Sequence, residues 1–102
     1  NILLICNMLF FDKEKKIIES FSKKKLNLYV KPHPNSLNDP YEKLTTENNL
    51  ILLERKDIPK VDMVISYHST LALAYRNYGV EVLMYDDELF QYKYDNLFHL
   101  ND

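Results

Sequence analysis

Residues 61–79, VDMVISYHSTLALAYRNYG, constrain the fold of this chain more than any other stretch. A short apolar run (Val61, Met63, Val64, Ile65) is broken by Ser66, then comes the Ser69-Thr70 pair, then apolar residues at helical spacing. That order spells a buried strand, a tight loop and a helix. Either hydroxyl suits the helix N-cap. Gly79, the single glycine among 102 residues, stands where a helix end needs a left-handed backbone. A helix that starts directly after a buried strand offers unpaired N–H groups and the positive end of its dipole, a combination suited to anions.

With one glycine the chain has no GxGxxG element and no Walker A loop. Any phosphate held here must be met by hydroxyls, a histidine and a helix end. Hydrophobic residues at 46% and charged residues at 27% are ordinary for a globular domain. A formal charge of -2 gives no reason to expect nucleic acid. No apolar run approaches the roughly 18 residues of a membrane span, so no transmembrane segment is expected and the location is expected to be cytoplasmic, including the inner face of the membrane. Cys6, alone in an apolar run, reads as a small buried hydrophobe. The chain does not open with Met and its first residues already read as a core strand, so it is expected to be a domain cut from a longer polypeptide.

Four further apolar runs repeat the strand signal: residues 2–6, 26–30, 50–53 and 80–85. Asp12 is a plausible N-cap for a helix over 13–24 with an apolar stripe at Ile17, Ile18 and Phe21, and Lys23 to Lys25 form its solvated end. Asp39-Pro40 reads as the start of a short helix through Leu44. Residues 56–60 make a short link into the strand at Val61. Strands alternating with helices or links predict an α/β, Rossmann-like three-layer domain with a mainly parallel sheet of about five strands. The domain is expected over 1–90, with 91–102 an aromatic tail that packs on this or a missing domain.

In such sheets ligands sit beyond the carboxyl ends of strands at a topological switch point. Three groups lie at such ends: His33, residues 66–70, and Asp86-Asp87-Glu88. In Lys31-Pro32-His33-Pro34 two prolines end the strand and hold His33 in an extended backbone. That rigidity suits a residue aimed at a ligand, and equally a stiffened strand exit with His33 merely exposed. His68 reads as a loop or packing residue and the acidic run as solvated. His33, His68 and His99 lack metal-ligand spacing, so no metal is expected.

Lys31-Pro32-His33-Pro34, about thirty residues before Val64-Ile65-Ser66-Tyr67-His68-Ser69-Thr70 and a Gly79-Val80-Glu81-Val82 strand, resembles the C-terminal donor-binding domain of GT-B-fold bacterial glycosyltransferases. The nearest patterns are the HP-motif sialyltransferases and polysialyltransferases of capsule and lipooligosaccharide synthesis. The CDP-glycerol glycerophosphotransferases are similar. The resemblance implies a nucleotide-sugar donor, a CMP-sugar, with no cofactor or metal. It implies His33 as the catalytic residue at the donor phosphate. Ser69 and Thr70 become the hydroxyl pair on the same phosphate, with Ser66, Lys31 and Pro34 nearby. It also implies a separate N-terminal acceptor domain carrying the acidic base, without which this chain is expected to be inactive. A non-catalytic flavodoxin-like interaction domain is the alternative of a different class.

Overall fold

The apolar runs pair into one sheet of five parallel strands: β1 (Ile2–Ile5), β2 (Leu28–Lys31), β3 (Ile51–Leu52), β4 (Met63–Ser66) and β5 (Glu81–Met84). The structure is a computed structural model and describes residues 1–24, 27–33, 39–54 and 56–99. The strand order is β3-β2-β1-β4-β5. The chain therefore winds outward from β1 to β3, crosses back past β1, and continues through β4 to β5. Every residue of β1 and β4 is buried, as continuous apolar runs without polar alternation require.

Alternation along the strands divides the core in two. Ile2, Leu4 and Cys6 face a cluster with Ile17, Ile18 and Phe21 of α1 (Phe11–Phe21), Tyr41 and Leu44 of α2 (Asp39–Glu47), and Phe90 of α4 (Phe90–His99). Leu3 and Ile5 face Ala72 and Tyr75 of α3 (Thr70–Asn77). Helices thus cover both faces, giving the three-layer α/β fold that the sequence predicts.

The helix starts and strand limits differ in detail. Asn7 Oδ1 accepts the Leu9 N–H at 3.0 Å and opens a 3-10 turn, Met8–Phe10, that runs straight into α1. Asp12 is therefore not the N-cap. It lies in the first turn of α1, where a carboxylate still suits the dipole. Asn49 takes a left-handed backbone (φ 56°) and ends α2, a conformation asparagine tolerates better than most residues. β2 begins two residues later than the apolar run suggests and includes Lys31.

The link from β3 to β4 contains no described helix and passes on the α3 side, where Leu53 and Val61 pack. Two buried side chains hold it. Tyr75 donates to the Pro59 carbonyl at 2.6 Å, and Lys31 Nζ donates to the carbonyls of Asp57 at 2.6 Å and Glu54 at 3.2 Å. On the opposite face the aromatic C-terminal stretch folds as α4. Phe90 meets Tyr85 edge-on, Tyr94 meets Phe21, and the Tyr94 hydroxyl bonds Ser20 Oγ; Tyr92 points to solvent. No described helix is long and apolar enough to cross a membrane.

Candidate functional site

The register aligns the carboxyl ends of four strands. Ile5 pairs with Lys31 on one side and Ser66 on the other, and Ser66 pairs with Met84. Asn7, His33, His68 and Asp86 each stand two residues beyond that level, so one edge carries all four. The switch point lies between β1 and β4, where the winding direction reverses. β2 and β4 flank β1, so their backbones lie roughly 10 Å apart at two inter-strand spacings. His33 and the Ser69-Thr70 turn therefore leave the sheet on either side of Asn7. Pro34 lies outside the described residues.

The three hydroxyls have different local roles. Ser69 is the N-cap of α3: its Oγ accepts the Ala72 N–H at 3.0 Å. Ser66 is fully buried; its hydroxyl donates to the Tyr67 carbonyl at 2.7 Å, and Ser69 Oγ lies 3.1 Å from it. With its proton spent on that carbonyl, Ser66 steadies the capping hydroxyl and does not reach solvent. Thr70, the first residue of α3, is exposed. The N–H groups of Thr70 and Leu71 form no hydrogen bond among the described residues, so two backbone donors remain open at the helix end. Lys31 faces the β3–β4 link, and burial lowers its pKa from the usual lysine range.

Beneath the edge lies a buried acid that the sequence reading overlooked. Glu14 is fully buried, and its carboxylate accepts the Tyr41 hydroxyl at 2.5 Å, the Tyr85 hydroxyl at 2.5 Å and the Asn7 N–H at 2.7 Å. Burial pushes the Glu14 pKa up against these donors, and it pushes both phenols well above their usual range. The Cys6 thiol is raised as well, by burial and by Glu14. The signal was present: Glu14, Ile17, Ile18 and Phe21 fall at i, i+3, i+4 and i+7, which puts the glutamate on the buried stripe. Above it, Phe10, Tyr67 and Tyr85 form an aromatic cluster with centroids 5.5 to 6.2 Å apart.

No family model, curated protein or solved structure matches this chain. The site therefore rests on its own geometry. At the β5 end, Asp86 binds His68 twice, accepting the backbone N–H at 3.0 Å and meeting ring Nδ1 at 2.8 Å. Asp87 instead accepts the Leu89 N–H and meets Lys93, contacts that hold its pKa below the usual carboxylate value. The acidic run is thus divided between two jobs. Among the described residues no cluster of His, Cys, Asp or Glu is arranged to hold a metal ion. A groove of about 490 Å³ between α1 and α4, lined by Lys13, Lys16, Phe90 and Tyr94 among others, includes none of the edge residues.

Proposed function

We propose that this chain is the donor-nucleotide-binding part of a bacterial glycosyltransferase, sialyltransferase-like, that takes a CMP-sugar for cell-surface polysaccharide or lipooligosaccharide synthesis. The observation that carries the reading is the open N-terminus of α3 at the switch point between β1 and β4, with His33 following β2 on the other side of β1. A donor phosphate bound there would meet the Thr70 and Leu71 N–H groups, the Thr70 hydroxyl and the α3 dipole, with His33 as the proposed partner from the segment after β2. Glycosyl transfer develops negative charge on the departing phosphate, and each well-placed donor stabilises that charge by about 2.7–4 kcal/mol. The His33 imidazole adds charge and a proton for the leaving oxygen. Ser69 acts by holding the helix end open toward the ligand, and Ser66 by holding Ser69. The acceptor hydroxyl and its base come from a separate acceptor domain, so this chain alone binds donor weakly and transfers nothing.

Isothermal titration of the chain with CMP, CDP, UDP and GDP at low salt tests the reading. Binding selective for the cytidine nucleotides, weakened by His33→Ala and by Thr70→Val, is the expected result. Preference for CDP over CMP would redirect the assignment to a glycerophosphotransferase. Equal affinity in wild type and both variants would overturn the site and leave a non-catalytic interaction domain.

A further inference from the structure

The His68–Asp86 pair is a polar constellation at the carboxyl edge, among the described residues, that the proposed phosphate site does not use. Both oxygens of Asp86 are committed to His68, Oδ2 to the backbone N–H and Oδ1 to ring Nδ1. This double contact ties the turn after β5 to the turn after β4 and fixes the imidazole about both. In the neutral ring, a carboxylate at Nδ1 selects the tautomer with hydrogen on Nδ1, so Nε2 carries a lone pair. Nε2 has no hydrogen-bond partner among the described residues, and the His68 side chain is 64% exposed. The ring therefore presents a hydrogen-bond acceptor to solvent, one residue before the N-cap of α3.

An imidazole paired with a carboxylate adds no net positive charge even when protonated, so the pair is poorly suited to clamp a second phosphate. An acceptor nitrogen needs a donor, and the donor nearest a phosphate in a phosphorylated sugar is one of that sugar's hydroxyls. We propose that His68, held by Asp86, accepts a hydrogen bond from a ribose hydroxyl of the nucleotide whose phosphate sits at the α3 N-terminus. The inference rests on the donor-site reading and adds to it the origin of a preference for ribonucleotides. His68 is then a specificity-determining residue, and Asp86 is a positioning residue that acts through it.

The test compares the affinities of CMP and 2′,3′-dideoxy-CMP for the chain and for two variants, His68→Ala and Asp86→Asn. The wild type is expected to favour CMP by roughly threefold to tenfold, the range of one neutral hydrogen bond. His68→Ala abolishes the preference while still binding the dideoxynucleotide. Asp86→Asn, whose amide can donate to Nδ1 and reverse the tautomer, reduces it. His33→Ala weakens both nucleotides equally and leaves their ratio intact, which separates a specificity contact from a general loss of fold. Ring ¹⁵N shifts of His68 in the free chain are expected to show the neutral ring as the tautomer with hydrogen on Nδ1. Equal affinities for the two nucleotides in wild type, or a preference that survives His68→Ala, would overturn the hydroxyl contact and leave the phosphate site standing. Failure of both nucleotides to bind would overturn the donor-site reading and this inference together.

Discussion

Glu14 is the residue whose chemistry is most tightly bound to the fold. Three donors from separate parts of the chain meet its carboxylate: the β1 exit, α2 and the β5 exit. The acid thereby fixes where the β1 exit and the β5 exit stand at the carboxyl edge. Its pKa lies above the ordinary value in the folded chain, so the folded state holds its proton to higher pH than the unfolded state. The stability this contributes is fully present below the unfolded pKa and is lost as pH rises through the folded pKa. In urea unfolding followed from acid toward neutral pH, wild-type stability is therefore expected to lose ground relative to Glu14→Gln, whose amide cannot ionise. Parallel curves for the two proteins would contradict a raised folded pKa. The sequence marked Glu14 only by its place on the apolar stripe of α1. A charged residue in a lysine-rich helix reads as solvated until its partners, distant by 27 and 71 positions, are known.

Among the elements, α3 carries the proposed phosphate site and is itself short, eight residues long, so its ends matter. Ser69 closes the N-terminus. Gly79, at φ 85°, follows Tyr78 at the C-terminus in a conformation that costs other residues more. Ser69→Ala is expected to lower stability by about 0.5–2 kcal/mol, the usual cost of a lost cap hydroxyl. Gly79→Ala is expected to lower it as well; its Cβ would meet nothing within 4 Å, so the cost is conformational. Thermal unfolding of the two variants checks both, and unchanged midpoints would deny the capping roles. This element was legible in the sequence because strand, cap and stop signals fall in one continuous stretch. The start of α1 was not, since Asn7 caps a 3-10 turn that displaces Asp12 from the cap position. The side-chain oxygen of a residue outside the expected helix decided the boundary.

For the whole molecule, the five apolar runs and their connectors were sufficient for the fold class, because burial on both faces of a parallel sheet leaves a composition signature. They did not specify strand order. That order turns on the helix-poor link from β3 to β4, which is secured by Lys31 and Tyr75 through contacts remote in sequence. Only with the order β3-β2-β1-β4-β5 do His33 and the α3 N-terminus come to flank β1, with the His68–Asp86 pair beside them. The proposed site thus depends on topology more than on any one motif. The most direct test is an amide chemical-shift map of the chain titrated with CMP. Shifts concentrated at Asn7, His33, Thr70 and Leu71 are the expected result. Shifts confined to the groove between α1 and α4, with the carboxyl edge silent, would contradict the placement of the donor site.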